Sequence, residues 1–258
     1  MKEFIVPGRT DRIRYHDLPG EDIPIIFIHG LGCASSMDYP NVAAKPPLSG
    51  HRRILVDLLG AGFSDKPDDF GYAAEDHAAY LLAFVESLGL DTFVLFGHSL
   101  GGAVAISLAK LCPERIFHLL LTESNLDPSP VHAVSNQIAS QSMETFLHAG
   151  FNSMVQRAVH AGNTLWAASL SLWSPVAAYR FSQSGKNGGR TSWRQTLYDL
   201  PCAKTFLFGE RTLPDEDEAE LPKHGVRVEV VPSAGHGMAW ENPSGLAEAV
   251  ERAIRTGK

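Results

Sequence analysis

Short apolar runs along the chain alternate with stretches whose apolar residues recur at helical spacing. The runs are 25–28, 53–57, 92–96, 116–121, 205–208 and 226–231. Continuous apolar runs of this length suit strands buried on both faces, as in a parallel sheet. Between two of them, Leu81, Phe84, Val85 and Leu88 follow i, i+3, i+4, i+7, which predicts a helix over 73–88 that Gly89 can end. Another helix is expected from the turn at Ser99 to about Leu111, closed near Pro113. The last helix has Asn242 as N-cap and Pro243 at its first position, with Leu246, Val250 and Ile254 on its inner face. Strand and helix in alternation predict an α/β fold, a mostly parallel central sheet with flanking helices.

The alternation is interrupted once. Between Thr122 and Thr205 lie about 80 residues, far more than an ordinary connection needs. This stretch holds Trp166, Trp173, Trp193 and several helix-like segments, so it reads as an inserted helical cap over 125–200. Some of those tryptophans are expected to face a pocket. Residues 1–124 and 201–258 then form the core. Within the cap, Ser182–Gly189 is by composition a flexible joint.

Composition narrows the partners. Twenty-nine acids against 22 Lys and Arg leave a formal charge of −7, unsuited to neutralising the phosphates of nucleic acid. Cys33, Cys112 and Cys202 form neither a disulfide framework nor a zinc pattern, and scattered thiols suit a reducing compartment. Pro7 interrupts any secretory leader, and no apolar run approaches the ~18 residues of a membrane helix. The expectation is a cytoplasmic protein with no membrane partner and no metal, a homodimer being left open.

Gly97-His98-Ser99-Leu100-Gly101 is G-x-S-x-G between an expected strand and an expected helix. That context makes Ser99 a candidate nucleophile, because a serine on so sharp a turn needs small residues two positions away on either side. A serine hydroxyl also needs a base. His236, in Ser233-Ala234-Gly235-His236-Gly237, stands between the last strand and the last helix, where flanking glycines let a loop carry it to another segment. His98 should point away from Ser99 on so tight a turn, and His29 is expected to support the Gly30 loop. Negative charge developing on a substrate oxygen requires N–H donors. The backbone N–H groups of Leu100 and of Leu31, in His29-Gly30-Leu31-Gly32, are the candidates for this oxyanion hole. A dinucleotide loop would need a third glycine where Ser35 stands, so no cofactor is expected.

These motifs, with Asp57-Leu58-Leu59-Gly60-Ala61-Gly62-Phe63-Ser64-Asp65 and the Glu241-Asn242-Pro243 that follows His236, resemble the α/β-hydrolase superfamily in its own order across nearly the whole chain except the cap. The resemblance implies an eight-stranded sheet, a cap over the active site, and hydrolysis without metal or cofactor. It is nearest to small esterases, lactonases and carbon–carbon bond hydrolases. Ser99 argues against dehalogenases and epoxide hydrolases, which use aspartate there.

The acid of the triad departs from the family pattern, because Thr212 stands where it is usually found. Either Asp215 or Glu210 serves from a shifted loop, or the acid is Glu123, at the end of the strand after the nucleophile helix. The second arrangement resembles one branch of haloalkane dehalogenases and a fungal resorcylate lactonase, and it is preferred. The expected activity is hydrolysis of a small carboxylic ester or lactone through an acyl-enzyme. The alternatives are a carbon–carbon bond hydrolase, with Arg180, Arg190 or Arg194 contacting a substrate carboxylate, and a ligand sensor that closes its cap.

Overall fold

In the computed structural model, which describes residues 1–257, eight strands form one sheet. They are β1 (Lys2–Ile5), β2 (Arg12–Leu18), β3 (Asp22–Ile28), β4 (His51–Asp57), β5 (Phe93–His98), β6 (Ile116–Thr122), β7 (Ala203–Gly209) and β8 (Arg227–Val231). Their order is β1-β2-β4-β3-β5-β6-β7-β8. Pairs β1/β2 and β2/β4 are antiparallel and all the others parallel. The six apolar runs are the six strands β3 to β8.

The two missed strands lie at one edge. They are rich in charge, with Lys2 paired to Asp17 at 2.7 Å and Arg14 to Glu3 at 2.8 Å. Such residues suit an edge that must not recruit another strand, but they erase the apolar signal that marks a buried one.

Eight longer helices accompany the sheet: α1 (Ala74–Ser87), α2 (Leu100–Leu111), α3 (Val134–Ala139), α4 (Phe151–His160), α5 (Thr164–Leu170), α6 (Pro175–Asn187), α7 (Trp193–Asp199) and α8 (Pro243–Thr256). One apolar layer joins a sheet face to α1, α2 and side chains of α4–α7, including Leu81, Phe84, Leu108 and Phe181. A second layer fills the opposite face with Phe27, Phe96, Tyr39 and the inner stripe of α8, Leu246, Val250 and Ile254. Asn242 caps α8 by accepting the Gly245 N–H at 2.9 Å.

All five helices α3–α7 fall between β6 and β7. The expected joint at Ser182–Gly189 is not one, because α6 runs through Asn187. Tertiary contacts override composition there. The Ser182 hydroxyl donates to the Ala178 carbonyl at 2.6 Å, the Ser184 hydroxyl accepts the Ala74 N–H at 3.1 Å, and the Gly185 carbonyl accepts the Ser129 N–H at 2.8 Å. Small polar residues here allow close packing rather than mobility. Among the described residues no helix is long and apolar enough to cross a membrane.

Candidate active site

Strand β5 delivers Ser99 at its carboxyl end, and α2 starts at the next residue. Ser99 has φ 52° and ψ −128°, a conformation that L-residues adopt at a cost. Its neighbours make it possible. A Cβ on Gly101 would lie 2.1 Å from the His29 carbonyl oxygen, and one on Gly97 would lie 2.7 Å from the Ala105 side chain. The strained backbone is also pinned, since the Ser99 N–H donates to the Thr122 carbonyl at 2.9 Å and its own carbonyl accepts the Gly102 N–H at 2.9 Å.

Glu123 follows directly on β6 and is likewise left-handed, with φ 46°. Only 10% of its side chain is exposed. Its two carboxylate oxygens have different partners. Oε1 accepts the Gly209 N–H at 2.7 Å and the Thr212 hydroxyl at 2.6 Å, and Oε2 faces Nδ1 of His236 at 3.9 Å. Burial opposes ionisation of Glu123, but His236, the Thr212 hydroxyl and the Gly209 N–H together hold its carboxyl below the ordinary range. At 3.9 Å His236 acts as a nearby partner, not through a made hydrogen bond.

His236 lies in the loop after β8 with 59% of its side chain exposed. The loop is braced from two sides. Nε2–H of His98 donates to the His236 carbonyl at 2.9 Å, and the Gly235 N–H donates to Glu241, whose carboxylate also pairs with Arg211 at 3.0 Å. Burial, reinforced by the nearby His236, pushes the His98 imidazole down to about 3 and keeps it neutral. The sequence suggested only that His98 turns away from Ser99. Its link to the other loop was not visible there.

The Gly30 loop comes up beside the serine, where a Cβ on Gly30 would lie 3.0 Å from the Ser99 Cβ. His29 supports this loop as expected. Its Nδ1–H donates to the Gly30 carbonyl at 2.9 Å and its Nε2 accepts the Leu58 N–H at 3.0 Å. Two indoles hold the same loop from α5 and the turn after it. Trp166 Nε1 donates to the Leu31 carbonyl at 3.2 Å and Trp173 Nε1 to the Cys33 carbonyl at 2.7 Å. Leu100 opens α2, so its N–H is among those with no partner inside the helix.

Ser99, His236, Glu123, Leu31 and Leu100 all line one cavity of about 790 Å³. Asp215 and Glu210 do not. Asp215 accepts the Asp217 N–H at 2.8 Å, and Glu210 accepts the Ser233 N–H at 2.7 Å. The three arginines considered for a substrate carboxylate are engaged elsewhere as well. Arg180 donates to the Asp68 and Phe70 carbonyls, Arg190 pairs with Asp76 at 3.1 Å, and Arg194 bridges Asp127 and Asp217.

Strand order, elbow and helical insertion are together those of the α/β-hydrolase fold, and the family described by that name matches residues 23–149. The chain has the α/β-hydrolase fold. It is 34% identical over 107 residues to the 2-hydroxy-6-oxo-2,4-heptadienoate hydrolase of Pseudomonas putida strain F1. That match covers 41% of this chain and 38% of the relative. It is 35% identical over 124 residues to a 2-hydroxymuconate semialdehyde hydrolase of Pseudomonas putida, covering 48% of this chain and 43% of the relative. The chain thus spans less than half the length of these two relatives. In structure it resembles an esterase from Exiguobacterium antarcticum, with TM-score 0.82 at 19% identity, over 99% of this chain and 100% of that one.

Two side chains of this α/β-hydrolase cavity were not singled out from the sequence. Asp38, only 4% exposed, ends a short helix after the Gly30 loop, and burial pushes its carboxyl up to about 7. It accepts the Ala34 N–H at 3.2 Å and the Trp240 indole N–H at 3.0 Å. Trp240 lies four residues after His236. No motif marks either residue, because their meeting joins segments about 200 positions apart.

Proposed function

We propose that this chain is a serine hydrolase cleaving a small carboxylic ester or lactone through an acyl-enzyme. The observation that carries the reading is the shared cavity, in which the strained Ser99, His236 and the half-tethered Glu123 converge. Ser99 Oγ attacks the substrate carbonyl carbon while His236 takes the hydroxyl proton. Glu123, held by Thr212 and Gly209, steadies the imidazole and balances the imidazolium. The N–H groups of Leu31 and Leu100 receive the charge on the former carbonyl oxygen. The C–O bond then breaks, and the alkoxide leaves with the proton from His236. Water, deprotonated by the same imidazole, attacks the acyl-serine, and the carboxylic acid departs as Ser99 regains its proton.

Residues 125–200 act as a cap in this reading. Leu165 and Trp166 from that stretch line the cavity. With Arg180, Arg190 and Arg194 already engaged, the carbon–carbon bond hydrolase reading lacks the cation it was expected to use. A ligand sensor is separated from an enzyme by turnover number.

A fluorophosphonate probe and 4-nitrophenyl butyrate test the proposal together. The probe should label Ser99, and Ser99→Ala should lose both labelling and nearly all turnover, on the order of 10⁶-fold as for other triad nucleophiles. Activity within tenfold of the parent, or label found on another residue, rejects the assignment.

A further inference from the structure

The wall of the cavity carries chemistry that the triad does not use. No lysine or arginine is among the described residues that line it, whereas three carboxyl groups are: Glu123, Glu241 and Asp38. Glu123 faces His236, and Glu241 pairs with Arg211. Asp38 has no cationic partner. Its oxygens meet the Ala34 N–H, the Trp240 indole N–H and the Cys33 thiol, and all three are neutral groups. The histidines of the lining do not supply the missing charge. His98 is held neutral, any charge on His236 is balanced by Glu123, and His132 is exposed to solvent.

An anion entering this cavity must shed water without gaining a cation, and it meets a carboxyl group with no counter-charge. In either protonation state Asp38 offers no positive charge. We propose that the cavity accepts esters whose acyl and alcohol parts are uncharged and excludes those bearing a carboxylate, with Asp38 setting the discrimination. This rests on the cavity being the substrate site of the proposed hydrolase. The same wall then acts on the product. Ester hydrolysis leaves a carboxylate where an uncharged acyl group had been, so the feature that admits the ester favours release of the acid. The two Pseudomonas relatives contrast with it, since both are named for substrates that are carboxylates.

Turnover and binding are measured separately. For turnover, kcat/KM is compared for 4-nitrophenyl hexanoate and mono-4-nitrophenyl adipate, after subtraction of spontaneous hydrolysis. The uncharged ester should be preferred by about tenfold or more. For binding, Ser99→Ala protein is titrated with hexanamide and with adipamic acid, following the fluorescence of Trp166 and Trp240. Hexanamide should bind at least about tenfold more tightly. Equal binding of the two overturns the inference whatever the turnover. Discriminating binding with no ester turnover keeps the inference and rejects the serine hydrolase reading. Folded Asp38→Asn protein should narrow the kcat/KM gap at least about threefold. An unchanged gap overturns the role of Asp38.

Discussion

Ser99 and Glu123 directly follow the adjacent parallel strands β5 and β6, and both sit at positive φ, which is costly for a non-glycine residue. Each conformation is kept by backbone hydrogen bonds to the next strand along, from Ser99 to Thr122 and from Glu123 to Leu207. Glu123→Gln should lower kcat by about 10² to 10⁴, because an amide cannot balance an imidazolium and can hold the wrong tautomer. Thr212→Val removes the 2.6 Å hydroxyl donor to Oε1 but leaves the Gly209 N–H, so the loss should be only about tenfold, with KM little changed. Asp215→Asn and Glu210→Gln should each cost less than about tenfold. The comparison is made on folded variants, using labelling rate beside turnover. If Asp215→Asn were the variant that lost labelling, the acid would lie after β7 instead.

Among the helices between β6 and β7, the tryptophans divide by role. Trp166 of α5 lines the cavity and ties it to the Leu31 carbonyl. Trp193, at the start of α7, is buried in the apolar layer, away from the cavity wall. Trp173 packs on Phe181 with centroids 6.0 Å apart and, without lining the cavity, donates to the Cys33 carbonyl. Trp166→Phe should therefore alter the ratio of kcat/KM between short and long acyl esters by about threefold or more, with little loss of stability. Trp193→Phe should lower the melting temperature and leave that ratio alone. A panel of straight-chain 4-nitrophenyl esters, measured with melting curves, separates the two. Uniform losses from both variants would mean that α5 only packs.

The whole molecule folds around histidines that must stay neutral. His77 of α1 is enclosed by Phe70 and Phe181, each with its ring centroid 5.3 Å away, and burial pushes it down to about 3. Burial also lowers His29, His98 to about 3 and His118 to about 4. In the unfolded chain these groups bind protons near 6.5, so between about pH 6.5 and 4.5 the unfolded state holds more protons and stability falls with acidification. Asp38, raised by burial, acts in the opposite direction over the same range, one group against four. Each neutral histidine steepens the fall by up to about 1.4 kcal/mol per pH unit. Neither ring nitrogen of His77 has a hydrogen-bond partner among the described residues, so His77→Phe loses none and should flatten the slope by about that amount. Urea midpoints at pH 6.5 and 5 measure it, and parallel slopes for parent and variant would exclude the effect. This balance of charge and burial was not legible in the chain, whereas much else was. Local patterns marked β3 to β8, the helix over 73–88, the cap on the last helix and the elbow at Ser99, because backbone periodicity and turn sterics act over a few residues. They missed β1 and β2, where charge hides an edge strand, and mistook the end of α6 for a joint, where distant serine and backbone contacts decide. Glu123 was legible only as a preference. Its tether to Thr212, the brace from His98 to the His236 loop and the meeting of Asp38 with Trp240 join segments far apart in sequence. Hydrogen bonds and burial of that kind exist only once the sheet has brought its strand ends to one edge, so the tertiary structure alone decided them.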